Sequence, residues 1–188
     1  MLPAAQVFPV GHQDPAVAAL IEPVSIAVRA VVRGRVAAGE KVVVFGAGPI
    51  GQAVAVACMD RGASVLLVDP LSSRLGHGRR TGAEFLELDE GEDAVAAAGE
   101  WSGPDGPEVV FEATGVAAVA RSAVALVARA GRVVVVGLSS HDAPLRVADL
   151  AFKEIDVLGV SCCNADEFAE AVSLVARQAS SWRAFMRF

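Results

Sequence analysis

The chain has 188 residues, with 16 Lys+Arg against 22 Asp+Glu for a formal net charge of −6, and 54% of its residues are hydrophobic. That length predicts one domain or slightly more, and so apolar a composition excludes intrinsic disorder. With 36 Ala, 31 Val and no Tyr, it predicts Ala-rich helices on Val-rich strands, with both faces of the sheet covered.

In chain order, Asp14-Pro15 puts a side-chain acceptor at an N-cap and proline in the first turn, which starts a helix. That helix is expected to run to about Ile21, break at Glu22-Pro23 and resume over 24–34, with apolar Val24, Ile26, Ala27, Val28, Val31 and Val32. Gly39-Glu40 then turns the chain into a strand at 41–45, followed by a helix at 50–61, a strand at 64–68, a short helix at 72–81 and a short strand at 84–86. An acidic stretch at 87–92 opens a small Ala-rich helix, and the loop at 103–107 leads to a strand at 108–112. A helix at 116–128, a strand at 132–136, a loop through Ala143-Pro144, a strand at 155–160 and a helix at 166–177 complete the pattern.

Strands that are unbroken Val runs suit a parallel sheet buried on both faces, and their alternation with helices implies right-handed βαβ units. The expected fold is α/β, a doubly wound parallel sheet of about six strands in the Rossmann arrangement. It should occupy residues 37–180, after a helical segment at 1–36 and before an irregular tail at 181–188.

Gly46-Ala47-Gly48-Pro49-Ile50-Gly51 has the form G-x-G-x-x-G and stands directly between a strand and an Ala-rich helix. In that context the first glycine makes the turn, the second lets a pyrophosphate approach the backbone, and the third lets the helix pack closely. The helix N-terminus offers free N–H groups to the anion. Asp69 ends the next strand, 23 residues after Gly46, where a carboxylate accepts ribose hydroxyls and repels a 2′-phosphate. The pattern therefore predicts NAD rather than NADP as cofactor.

The same sequence argues against several other classes. The 14 Arg and two Lys are scattered over an acidic chain, without the basic stripe that nucleic-acid binding needs. Val42–Met59 is an uncharged run long enough for a membrane span, but Gly46, Gly48, Pro49 and Gly51 in its middle point to a strand, a turn and a helix in series. Cys58, Cys162 and Cys163 contain no C-x-x-C pair, which fits a reducing cytoplasm, and no Lys or Arg before Arg29 supplies the basic region of a secretory signal. His12, His77 and His141 are isolated from one another. A short-chain dehydrogenase needs a catalytic Tyr, which this chain lacks.

A wider set of segments completes the picture: Ala19–Ala27, Gly39–Gly51, Asp69 followed by Arg74, Glu112-Ala113-Thr114-Gly115 and Val136-Gly137-Leu138. Over residues 15–178 the chain resembles the nucleotide-binding half of the zinc-type medium-chain dehydrogenases, closest to the polyol (sorbitol-like) and threonine dehydrogenase branch. The resemblance implies hydride transfer between a secondary alcohol and NAD. It puts Gly48, Pro49 and Ile50 at the pyrophosphate and nicotinamide side, Asp69 at the ribose and Arg74 at the adenine end. Val136, Gly137, Leu138, Ser161, Cys162 and Cys163 would line the nicotinamide, with Thr114 beside them or serving only as a strand-end turn residue.

It also puts Glu22 at the catalytic zinc, and a carboxylate among Ala18, Ala19, Leu20 and Ile21 is costly to bury unless paired or coordinated. The family's barrel-like catalytic domain, with its zinc-binding Cys and Gly-His-Glu motif, is not matched by any segment of this sequence. The resemblance therefore implies a chain that lacks a complete zinc site. The alternative is an NAD-binding regulatory or scaffold module without catalysis. The apolar strand at 155–160, read as a sheet edge, implies a homodimer.

Overall fold

The computed structural model describes residues 7–11, 14–74, 82–86, 93–178 and 182. Among these, the strands are β1 (Lys41–Phe45), β2 (Ser64–Val68), β3 (Glu84–Leu86), β4 (Val109–Glu112), β5 (Arg132–Val135) and β6 (Asp156–Gly159). The helices are α1 (Pro15–Ala18), α2 (Ile21–Arg33), α3 (Pro49–Asp60), α4 (Ala94–Ser102), α5 (Ala117–Leu126), α6 (Val147–Lys153) and α7 (Ala165–Arg177). The strands form one parallel sheet in the order β3-β2-β1-β4-β5-β6. β1 thus has β2 on one side and β4 on the other, and the order reverses there.

The Val runs are continuous because both faces are covered. Val42, Val44, Leu67, Phe111 and Val134 point to the side where α2, α3 and α7 lie. Val43, Phe45, Leu66, Val110 and Val133 point to the side of α4 and α5. Each fully buried Val contributes roughly 1.5–3 kcal/mol, so the central strands are the firmest part of the molecule. The uncharged run 42–59 folds as β1, the glycine turn and α3.

The N-terminal helices differ from expectation. The break falls at Ala19-Leu20 rather than at Glu22-Pro23, and Pro23 sits in the first turn of α2. There its missing N–H would have no intrahelical partner anyway, so proline is tolerated and the helix runs through it. Pro15–Arg33 has the length and apolarity of a membrane span. In the fold it is divided into two helices, and Val24, Ala27, Val28 and Val31 of α2 belong to the same core as β1 and α3. Arg29 pairs with the buried Glu167 of α7 at 2.8 Å.

The sequence reading placed no helix between β5 and β6, where α6 forms. It has seven residues, none fully buried, and no side-chain N-cap, so neither periodicity nor a start signal marks it. The edge strand β6 is less apolar than expected: Asp156 is exposed and pairs with Arg35, while Ile155 turns inward. The helix at 72–81 is described only over 72–74. His12, His77, the 87–92 stretch and the 181–188 tail apart from Trp182 lie outside the described residues.

Candidate functional site

The strand register brings the functional segments into one row. Val68, Phe45, Glu112, Val135 and Gly159 are successive partners across the sheet at its C-terminal edge. The residues that follow them, Asp69, Gly46, Ala113, Val136 and Val160, therefore emerge side by side.

The three glycines of the turn meet three different steric demands. Gly46 has φ +102° and donates its N–H to Val68 O at 2.8 Å, closing the turn against β2. Gly48 caps α3 in extended conformation, and a Cβ there would meet no atom within 4 Å. Gly51 is the reverse case, since its Cβ would lie 1.8 Å from Gly46 O. The helix can approach the turn this closely only without a side chain at 51. Pro49 and Ile50 start the first turn of α3, where the Ile50 and Gly51 N–H groups lack intrahelical acceptors.

Asp69 is 3% exposed. Its Oδ2 accepts the Ala47 N–H at 2.8 Å, its Oδ1 accepts the Leu71 N–H at 2.9 Å, and Arg74 Nη1 lies 3.5 Å from Oδ2. The carboxylate thus pins the middle of the glycine turn to the end of β2. Gln52, which the sequence reading did not single out, pins the other side of the same peptide: its Nε2 donates to Ala47 O at 2.6 Å. Its Oε1 is buried without a partner. Glycine spacing gave no signal for this residue, because only the packed turn reveals its role.

Beyond the turn lies an open cleft of about 440 Å³, lined by Ile26, Ile50, Ala113, Thr114, Val136, Gly137, Leu138, Val160, Ser161 and Cys162. Val136, Gly137, Leu138, Ser161 and Cys162, expected around a nicotinamide, thus lie with Thr114 on one cleft, while Cys163 is not part of its lining. Leu138 is 94% exposed at its rim, and Cys162 is exposed with φ +55°. Thr114 does serve as a turn residue: its hydroxyl donates to Glu112 Oε1 and accepts the Val116 N–H at 3.0 Å. Glu112 itself is 2% exposed, and its Oε1 also accepts the Thr114 and Gly115 N–H groups at 2.7 and 2.9 Å. Here a buried carboxylate closes the β4 turn, a part that the sequence reading quoted in a motif without assigning.

The space above Gly48, the free N–H groups of the α3 first turn, the Asp69 carboxylate and the adjoining cleft could together hold a dinucleotide. A zinc ion is another matter. Glu22 is exposed in the first turn of α2, so the cost of burying it does not arise, and the helix dipole favours a carboxylate there. It is one helical turn from Ile26 and so on the same side of α2 as the cleft. Among the described residues no three His, Cys, Asp or Glu side chains gather to hold a metal. Cys163 instead donates its thiol to Ser25 Oγ at 3.2 Å, and Ser25 donates to Glu22 O at 2.6 Å. His141 is exposed beside Ser140. Cys58 is fully buried, and burial pushes its thiol well up from the ordinary range. The described residues therefore do not make up a zinc site.

Residues 49–177 match a family model described as zinc-binding dehydrogenase. Among curated proteins, the chain is 37% identical over 159 residues to 2-dehydro-3-deoxy-L-galactonate 5-dehydrogenase of Pseudoalteromonas atlantica, covering 84% of this chain and 46% of that protein. It is 36% identical over 162 residues to sorbitol dehydrogenase of Ovis aries, covering 84% and 45%. Among solved structures, a zinc-binding dehydrogenase of Sinorhizobium meliloti bound to NADP superposes with a TM-score of 0.86 at 28% identity, covering 95% of this chain and 54% of that one. The chain spans about half the length of the relatives it matches. Match, fold and the row of strand-end segments agree, and this chain belongs to the zinc-binding dehydrogenase family.

Proposed function

We propose that the chain is the NAD-binding half of an alcohol or polyol dehydrogenase, with residues 1–36 as a remnant of the catalytic half and 37–180 as the nucleotide-binding unit. The observation that carries the reading is the clasp of Asp69 on Ala47. It holds the glycine turn open above Gly48 and keeps a carboxylate at the end of β2. In this reading the pyrophosphate rests on the N–H groups around Gly48, Pro49 and Ile50, beside Gly46 and Gly51. The ribose hydroxyls donate to Asp69, and Arg74 borders the adenine. The nicotinamide enters the cleft between Thr114, Val136, Gly137 and Leu138 on one side and Ser161 and Cys162 on the other.

When bound, NAD supplies a hydride acceptor for a small alcohol or polyol. The chain's own residues orient it: the Gly46–Gly51 turn fixes one end, and the glycines at 115 and 137 keep the cleft wall flat. Polarising the alcohol oxygen requires a Lewis acid or a proton path, and no step is assigned to Glu22, which lacks partner ligands among the described residues. The acidic Asp69 favours NAD over NADP, because a 2′-phosphate would meet it at close range. The thiol-containing, disulfide-free chain suits a cytoplasmic setting, and the exposed β6 edge suits pairing with a second copy. A sedimentation mass equal to the monomer at micromolar concentration would refute that pairing.

The deciding experiment is titration of the purified chain with NADH and NADPH, followed by energy transfer from Trp to the reduced nicotinamide. Saturable NADH binding with at least tenfold weaker NADPH is the expected result (about 1.4 kcal/mol). Absence of NADH binding refutes the cofactor reading, and equal affinities refute the NAD preference.

A further inference from the structure

Among the described residues, no cation pairs with the Glu112 carboxylate. The carboxylate is 2% exposed at the end of β4, in the middle of the sheet. Its Oε1 takes all three side-chain hydrogen bonds, from Thr114 N, Thr114 Oγ1 and Gly115 N. Among the described residues Oε2 receives none, and no Arg, Lys or His pairs with the group. Buried carboxylates are ordinarily paired, because removal from water penalises the charged form heavily. Closing the turn would need only Oε1, and a neutral Gln would serve as well.

The position of Oε2 gives the charge a direction. A Cβ on Gly137 would lie 2.6 Å from Oε2 and 2.2 Å from Gly115 N. Gly137 and Thr114 line the cleft. The backbone of Gly137 therefore lies against this oxygen, beside the space where the proposed nicotinamide would rest, and any side chain at 137 would clash with it. A ring on the far side of that backbone is close enough to feel the charge in a medium poorer in water than bulk.

We propose that Glu112 is the counter-charge for the oxidised nicotinamide ring: a positioning residue that favours the cationic form of the cofactor over the neutral reduced form. The inference rests on the cofactor reading above and extends it to a residue outside the pattern of glycines. Glu112 takes no part in bond making. It acts through the field, so its signature is a redox-state preference rather than a general loss of affinity.

The test compares the affinities of NAD+ and NADH in the parent chain and in Glu112→Gln. Gln keeps an acceptor oxygen for the three donors and removes the charge. NAD+ affinity is expected to fall about tenfold, the scale of one partly screened charge contact, while NADH affinity changes less than twofold. Equal changes for both forms would mean a purely structural role and overturn the proposal. If E112Q does not fold, the parent chain is titrated with NAD+ and with benzamide adenine dinucleotide, an uncharged aromatic isostere. About tenfold tighter NAD+ binding supports the counter-charge, and equal binding overturns it. A parent chain that binds neither NAD+ nor NADH refutes the cofactor reading and this proposal with it, whereas binding of both with an unchanged ratio in E112Q refutes this proposal alone.

Discussion

Replacing Gly51 and Gly48 by Ala, one at a time, should separate the folding of the glycine turn from its use. At Gly51 two effects oppose each other. Ala is favoured over Gly in a helix by at most about 1 kcal/mol, less in the first turn where Gly51 stands, but its Cβ would stand 1.8 Å from Gly46 O and 2.9 Å from Gly46 C. These are backbone atoms of a turn held by Val68, and they cannot swing aside as a side-chain end could. Overpacking of a tight site costs about 1–3 kcal/mol and occasionally more, and contact this short belongs at the upper end. The net expectation is a loss of about 2 kcal/mol or more, or roughly 4–8 °C in Tm for a chain of this size. Gly48 has φ −70° and open space where a Cβ would go. There the weaker N-cap and the reduced entropy of the unfolded chain each amount to under about 1 kcal/mol and nearly cancel. G48A should therefore fold like the parent and fail to bind NADH. Urea unfolding followed by the fluorescence of Trp101 and Trp182 gives the first quantity, and NADH titration the second. A G51A protein as stable as the parent, or a G48A protein that binds NADH normally, would refute the division of labour among the glycines.

Three further substitutions probe the frame. Because burial holds the Cys58 thiol above its ordinary 9.0, its contribution to stability is complete below pH 9.0 and is lost as pH rises, by up to about 1.4 kcal/mol per unit. C58A should flatten the alkaline decline of the urea midpoint between pH 8 and 10, and an unchanged slope would contradict this. Lys153 donates to Val124 O and Ala125 O at the end of α5, and burial holds its ammonium below 10.5, with Arg129 adding to the effect and Asp149 opposing it. A lowered folded value means that stability from this group grows as pH climbs toward 10.5. K153M should remove that growth and cost about 0.5–1 kcal/mol of capping at neutral pH, read from urea midpoints. Arg132 donates to Gly34 O at 2.9 Å and to both Glu40 oxygens at 2.8 Å. R132M leaves Glu40 half-buried and unpaired, so a loss of about 2–3 kcal/mol is expected, and a loss below 0.5 kcal/mol, the size of an ordinary surface change, would refute it.

How legible the molecule was in its sequence depended on the range of the interaction. The strands at 41–45 and 64–68 follow directly from Val and Leu runs bounded by glycine turns, because burial on both faces leaves a continuous apolar signature. The glycine turn and Asp69 are local in sequence and were readable for the same reason. What escaped was set by contacts across the sheet. Gln52 and Glu112 look like ordinary polar residues until the turn at Ala47 and the backbone at Gly137 are brought against them. α6 is short and half-exposed, without a period to read. Pro23 reads as a break because proline interrupts helix interiors, yet its place in the first turn is fixed by where α2 begins, which depends on α2 docking onto α3 and α7. The apolar neighbours of Glu22 suggest a carboxylate in need of a partner, but in the fold only Ile21 among them is fully buried, and Glu22 faces out.

The reversal of strand order beside β1 has a consequence for how the molecule breathes. Residues 41–68 and residues 109–135 build the two sides of the C-terminal crevice, and the β1–β4 ladder joins them. A ligand lying from Gly48 to Gly137 would touch both sides, so opening either one would release it. Such a ligand acts as a strap across the seam, raising the free energy of every opening that parts β1 from β4 by RT ln(1 + [L]/Kd). Amide hydrogen exchange in Val42–Phe45 and Val109–Glu112 should then slow together on ligand addition, while β3 and α6, at the periphery, keep their own faster rates.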